Sequence, residues 1–350
     1  MYEPEELIRL ARDRRASDVH LVCGVPIRLR VDGSLRSLDT EILTPADTAQ
    51  YAEALAGQAL ERIACIGELD LARTLAGIRC RINVFRQQGA FSAAVRLLND
   101  EIPALESLGL PPAVAAFPEY PRGIVLVTGE TGSGKSTTLA SLLDRINHTK
   151  PEHIITFEDP IEYVYTQDLC AVNQREVGRD TASFASGLRA ALREDPDVLL
   201  VGELRDLETI ETALTAAETG HLVFGTVHTN SAADTIDRLV DVFPEARQQQ
   251  IRLQLSMTLR AVLSQQLLLR REGEGRVAAC EVMIVNPAIR NLIREGKTPQ
   301  IVNTLLTSAQ EGSVSMDNSL LRLVQSRTIS PETAIAAAHD PQYLRRSIQY

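Results

Sequence analysis

The sequence predicts an α/β protein in two parts, a larger domain on a mostly parallel sheet preceded by a smaller α+β module. Three observations carry this. Short, wholly apolar runs alternate with helical patterns from Ile124 onward, the pattern of a sheet covered by helices on both faces. Five prolines, Pro103, Pro111, Pro112, Pro118 and Pro121, crowd one stretch. Proline lacks an amide donor and interrupts helices and central strands, so the stretch reads as a linker. Finally, 350 residues hold about two domains of ~100–200 residues each. The resulting boundaries are 1–98, 99–121 and 122–350, the last with a helical region from about residue 271.

The first module alternates its signals. Glu5 to Arg14 has helical spacing of Leu7, Ile8, Leu10 and Ala11. Val19 to Cys23 and Ile27 to Val31 alternate as strands, and Asp32-Gly33 marks a hairpin turn. Thr44-Pro45 opens a helix, with Thr44 as N-cap and Pro45 at the first position. Arg79 to Phe85 and Ala90 to Leu98 read as extended.

In the larger domain, Ile124 to Thr128, His153 to Phe157, Val198 to Val201 and Leu222 to Thr226 are buried-strand candidates. Lys135 to Asn147, Phe184 to Arg193 and Leu207 to Ala217 are helical, and after Pro244 the pattern becomes mostly helical.

Composition narrows the function classes. Lys and Arg number 36 against 46 Asp and Glu, a formal charge of −10, with 44% hydrophobic and 23% charged residues. Such a chain builds a packed core. Its acidity argues against a protein that grips duplex DNA. No run approaches the ~18 apolar residues of a membrane span. The acidic start, Met1 to Glu6, lacks the apolar region of a signal peptide. A soluble cytoplasmic protein is expected. Cys23, Cys65, Cys80, Cys170 and Cys280 contain no C-x-x-C pair, so free thiols are expected rather than a zinc or redox site.

The chemistry concentrates at predicted strand ends. Gly129-Glu-Thr131-Gly132-Ser133-Gly134-Lys135-Ser136-Thr137 fits the pattern G-x-x-x-x-G-K-[ST], with a strand before it and a helix after it. Backbone amides of such a loop close around phosphate oxygens, and the helix start adds positive charge. Lys135 then reaches the β- and γ-phosphates of ATP, and the Ser136 hydroxyl ligates Mg²⁺. Asp197 to Glu203 is an apolar strand ending in a carboxylate, which makes Glu203 an acid on the Mg²⁺ or water side. Thr156-Phe-Glu158-Asp159-Pro160 places two acids after another strand, and either could orient or deprotonate the attacking water. His228 ends a third strand. By itself it reads as a structural hydrogen-bonder as readily as a catalytic group.

Taken in order, these motifs resemble the secretion ATPase superfamily, and within it the type IV pilus retraction ATPase (PilT) family. The resemblance spans nearly the whole chain. Ser17 to His20 and Arg28 to Gly33 resemble the family's PAS-like domain, and Thr156 to Glu162 its Asp box. Asp197 to Asp206 resembles its atypical Walker B, with Gly202-Glu203 where an aspartate is usual, and Gly220 to Ser231 its His box. Ala288 to Lys297 is similar to the retraction-type signature throughout. Phe157 stands where the family usually has a smaller aliphatic residue.

The resemblance implies a RecA-like P-loop ATPase domain behind the PAS-like one, assembled as a homo-hexamer. Nucleotide is expected between the two domains of a chain, near a neighbouring subunit. It further implies Glu158 as catalytic base, Glu203 as the Walker B acid acting through Mg²⁺, and His228 as a γ-phosphate sensor. Arg81, Arg96 and Arg193 fall at the family's arginine positions. The implied partners are an inner-membrane pilus platform protein and a paralogous retraction ATPase, with attachment to the membrane's cytoplasmic face through proteins. An accessory retraction paralogue, a pilus assembly or type II secretion ATPase and, remotely, a RecA-like nucleic-acid translocase are the alternatives. With no Trp and 4% aromatic residues, the chain lacks the stacking platforms of a single-strand translocase, and no nucleic-acid partner is expected.

Overall fold

The computed structural model describes residues 2–31, 33–61, 63, 67–98, 101–272 and 275–348. The chain forms two compact units, residues 1–101 with 160–164, and residues 102–159 with 165–350.

The first unit contains α1 (Pro4–Asp13), β1 (Ala16–Val22), β2 (Pro26–Val31), β3 (Ser34–Ile42), α2 (Pro45–Ala56), β4 (Glu68–Leu75), β5 (Ile78–Gln87) and β6 (Ala90–Leu97). The strands form one antiparallel sheet in the order β3-β2-β1-β6-β5-β4. Alternation sends Val19, Leu29, Ile82 and Val95 to one face, where they bury against Leu7 and Ile8 of α1 and Tyr51 and Leu55 of α2. The opposite face carries Arg30, Asp18, Arg96 and Arg81 as successive cross-strand partners. At the start of α2, Thr44 Oγ1 accepts from the Asp47 amide at 3.3 Å while the Asp47 carboxylate accepts from the Thr44 amide at 2.8 Å, a reciprocal cap. Gly33 has φ +78° in the expected turn, whereas Asp32 lies outside the described residues.

The second unit contains β7 (Gly123–Thr128), α3 (Lys135–Thr149), β8 (His153–Glu158), β9 (Ala171–Glu176), α4 (Phe184–Ala191), β10 (Val198–Val201), α5 (Leu207–Glu218), β11 (Leu222–Val227), α6 (Ala232–Asp241) and α7 (Glu245–Thr258). After these come β12 (Leu259–Leu269), β13 (Arg276–Ile284), α8 (Pro287–Arg294), α9 (Ile301–Thr307), α10 (Met316–Gln325), α11 (Pro331–Ala337) and α12 (Pro341–Ile348). The sheet order is β13-β12-β7-β11-β10-β8-β9. It is parallel except for β13, which pairs antiparallel with β12. Every residue of β7, β10 and β11 is buried, as expected of central strands covered on both faces.

Two expectations are corrected. The proline-rich stretch is no free linker from residue 102 onward. It forms 3₁₀ turns at Leu105–Leu108 and Pro112–Glu119 that bury Leu105, Val114 and Phe117. Ser141 of α3 donates to the Pro103 carbonyl at 2.6 Å, and Lys150 donates to that of Pro118. Proline forbids an α-helix interior here, but it tolerates short turns whose apolar side chains still find a core. The mostly helical pattern after Pro244 also gives way: β12 and β13 lie there, and β13 falls inside the region expected to be helical from about 271. Runs such as Leu267 to Leu269 do not distinguish a strand from a buried helix by periodicity.

Phe157 is fully buried, and Gly187 of α4 makes room for it: a Cβ there would meet the ring at 2.6 Å. Cys80, Cys170 and Cys280 are buried free thiols and Cys23 is half-buried, while Cys65 lies outside the described residues. Burial pushes the Cys280 thiol up to about 12. Among the described residues, no helix is long and apolar enough to cross a membrane.

Candidate nucleotide site

β7 runs into the glycine loop, and the loop delivers Lys135 as the first residue of α3. Gly129 adopts φ +141°, and a Cβ there would collide with the Gln265 carbonyl and the Ser133 hydroxyl, so only glycine fits. Gly132 and Gly134 also take positive φ, at +81° and +92°. Lys135 is 8% exposed, and its ammonium donates to the carbonyls of Gly129 at 2.8 Å and Glu130 at 2.9 Å. The side chain thus lies back along the loop it is meant to serve. Ser133 Oγ is buried with no hydrogen-bond partner among the described residues, while Thr131 and Ser136 are exposed and Thr137 is half-buried. At the loop's root, the Thr128 and Ser264 hydroxyls pair at 2.8 Å across β7 and β12.

The sheet order sets the other groups. β7, β11, β10 and β8 are consecutive, so their carboxyl ends present the glycine loop, His228, Glu203 and Glu158 in that sequence along one edge. Neighbouring strands lie ~4.8 Å apart, and this edge is where open α/β sheets bind ligands. Glu203 Oε1 lies 3.9 Å from His228 Nε2, and its Oε2 lies 3.6 Å from Arg205 Nη1. Glu158 Oε1 accepts from Thr156 Oγ1 at 2.6 Å and from Gln174 Nε2 at 3.2 Å. Asn230, two residues beyond His228, donates to Glu130 in the glycine loop at 3.4 Å. Asp159 is exposed where the chain leaves the second unit. The oxygen donors at this edge, a hydroxyl at Ser136 and a carboxylate at Glu203, are hard ligands of the kind Mg²⁺ takes beside phosphates.

The arginines divide. Arg81 and Arg96 are cross-strand partners on the polar face of the first unit's sheet. Arg96 Nε lies 2.9 Å from Asp18 Oδ1, and Arg81 Nε lies 4.0 Å from Asp70 Oδ1. Burial works to raise the Asp18 carboxyl, but the Ser17 hydroxyl and Arg96 outweigh it and hold the group below its usual range. Arg193 is not brought to the phosphate edge of its own chain. It is exposed just after α4 and before β10 begins, at the amino ends of the strands. The four residues of β10 separate that end from the site by about 13 Å.

Gln174, Arg205 and Asn230 join the site without a motif of their own in the sequence. Gln174 sits on β9, whose Asn-Gln-Arg run has none of the apolar character by which the other strands were found. Arg205 and Asn230 follow their strand-end motifs directly, and that proximity was the available signal.

Fold and edge together define a P-loop nucleotide-binding protein. The chain belongs to the type II/IV secretion system protein family, whose model matches residues 5–334. It is 47% identical over 339 residues to the type IV pilus retraction ATPase PilT of Pseudomonas aeruginosa, covering 96% of this chain and 98% of that protein. It is 51% identical over 276 residues to the twitching motility protein of Neisseria gonorrhoeae, covering 79% of this chain and 74% of that one. A crystal structure of the pilus retraction motor PilT with bound ADP matches at a TM-score of 0.93 and 47% identity, covering 99% of this chain and 100% of that one.

Proposed function

We propose that this chain is a subunit of a hexameric motor that hydrolyses ATP to ADP and phosphate and powers retraction of type IV pili, the basis of twitching motility. The observation that carries the reading is the row of glycine loop, His228, Glu203 and Glu158 along one sheet edge. The similarity to a PilT retraction ATPase over nearly the full length of both proteins supports the direction of work.

In this reading Gly129 to Gly134 wrap the phosphates with backbone amides, and Lys135 swings from its loop carbonyls to the β- and γ-phosphates. Mg²⁺ would be held by the Ser136 hydroxyl and, through water, by Glu203, and would neutralise charge between the β- and γ-phosphates. Glu158 accepts the proton of the attacking water as its oxygen bonds to Pγ and the bond to the ADP oxygen breaks. Thr156 and Gln174 orient that carboxylate. His228 reports the γ-phosphate to Glu203. Arg81 and Arg96 offer guanidinium charge to the phosphates in the assembled ring; Arg193 would act only on a neighbouring subunit. The ring works at the cytoplasmic face of the inner membrane, on a platform protein and beside a paralogous ATPase.

Deleting the gene and imaging pili tests the direction. Hyperpiliated cells that do not twitch are expected. Loss of pili would overturn retraction and favour an assembly motor.

A further inference from the structure

Glu281 stands on β13 with 5% exposure, paired with Ser264 of β12, which in turn pairs with Thr128 at the root of the glycine loop, and two helices share its carboxylate. Oε1 accepts the amide of Ala232, the first residue of α6, at 2.8 Å. Oε2 accepts the amide of Met316, the first residue of α10, at 3.4 Å, and His339 Nδ1 lies 3.8 Å from the same oxygen. First-turn amides lack intrahelical acceptors and carry partial positive charge. A buried carboxylate between two helix starts therefore meets compensating charge on both sides.

What α6 follows gives this contact its consequence. Ala232 comes directly after His228-Thr229-Asn230-Ser231. The loop has its own ties: Thr229 Oγ1 pairs with Thr235 Oγ1 at 2.7 Å, and Ser231 Oγ accepts from the Asp234 amide at 3.1 Å. Both of these ties run to α6, so they fix the loop only as well as α6 itself is fixed; a third, from Asn230 to Glu130 at 3.4 Å, runs to the glycine loop instead. Core packing of Ile236, Leu239 and Val240 and the Thr298 hydroxyl on Asp237 hold the body of α6; Glu281 holds its first turn from outside the helix, and through Met316 it shares that hold with the C-terminal helices. Met316 and Leu320 of α10 pack with Ala334 and Leu344 into a core beside Ala279 of β13, so the far side of the joint is anchored.

We propose that Glu281 is a positioning residue for ATP hydrolysis: it pins the start of α6, and with it the His228 loop, to the first turn of α10. The proposal rests on the role given to His228 above. It makes the C-terminal helices part of the frame that sets the sensor, through one buried side chain.

Steady-state ATPase assays on the full, assembled chain test it in a double-mutant cycle of Glu281→Gln and His228→Ala. Glutamine keeps the volume but has one accepting oxygen where two amides need one each. Glu281→Gln is expected to lower kcat about tenfold with KM for ATP within about twofold, and to cost nothing further in the His228→Ala background. A residue that only stabilised the fold would multiply its loss onto that of His228→Ala, and that result overturns the proposal. A full-rate Glu281→Gln beside a slow His228→Ala removes the proposal alone, whereas a full-rate His228→Ala removes the role of His228 and the proposal with it. Should Glu281→Gln fail to fold, Glu281→Asp, which keeps the charge on a shorter reach, is read in the same cycle with the same non-additivity expected.

Discussion

Glu203 and His228 face each other at 3.9 Å across the ends of two neighbouring parallel strands. The register pairs Val201 with Gly225, so each strand delivers its functional residue just past the last paired positions. On the other side of β10, Phe157 pairs with Val201, and Glu158 follows directly. Three side chains from three separate stretches of sequence thus share one edge because the crossovers return each strand parallel to the last.

Separating the two acids is the first expected result. Glu203→Gln and Glu158→Gln should each retain nucleotide binding and lose about 10²–10⁴-fold in kcat, the span of a removed proton-transfer or charge-stabilising group. Nucleotide binding measured beside steady-state hydrolysis checks this. Wild-type turnover in both variants would remove the acid assignments.

Lys135→Ala should abolish ATP binding and turnover together. The ammonium bridges two loop carbonyls, those of Gly129 and Glu130, so its loss takes away phosphate charge neutralisation and a brace of the loop. A fluorescent-nucleotide titration and an ATPase assay read the two effects. Unchanged hydrolysis would contradict the placement of phosphates at this loop.

Gly202 explains why an aspartate is missing where a Walker B strand usually carries one. A Cβ there would sit 3.0 Å from the Phe157 carbonyl and 3.4 Å from both Glu158 Cα and a Phe184 ring carbon. That carbonyl also accepts the Gly202 amide at 2.8 Å, so it cannot easily retreat. Gly202→Asp should cost about 1–3 kcal/mol by overpacking and should lower kcat as Glu158 is displaced. Thermal melts and turnover measured together check it; a fully stable, fully active Gly202→Asp would show that the space is not limiting.

The fold was legible where local chemistry and burial agree. Val198 to Val201 is apolar throughout because both faces of β10 are covered, and Thr44-Pro45 announces α2 because its cap is local. β9 was invisible because it closes the sheet's edge with polar residues, and β12 with β13 because their apolar runs fit a helix equally well. The strand-end acids were visible as motifs. The support of Glu158 by Gln174 is set by the β8–β9 register, which no spacing in the sequence encodes, whereas Arg205 beside Glu203 is local, two residues on. Arg193 is near its motif in sequence yet lies at the amino end of that motif's strand, so closeness in sequence does not place it beside Glu203 of its own chain.

The α8 segment allows the work of the motor to be separated from its chemistry. Ile289 and Ile293 are fully buried, one helical turn apart, whereas Arg294, Glu295 and Lys297 are exposed. Ile293→Ala should therefore cost about 2–5 kcal/mol, as core truncations do, and should lower hydrolysis and retraction together. Arg294→Ala and Lys297→Ala remove surface charge, and the pair that Lys297 makes with Glu295 at 2.7 Å is solvent-screened and contributes little to stability. Their melting temperatures and ATPase rates should match wild type. Fibre retraction in cells should nevertheless stop if this face meets the partner that receives the work. Equal loss of ATPase and retraction in the surface variants would instead make α8 a packing element and nothing more.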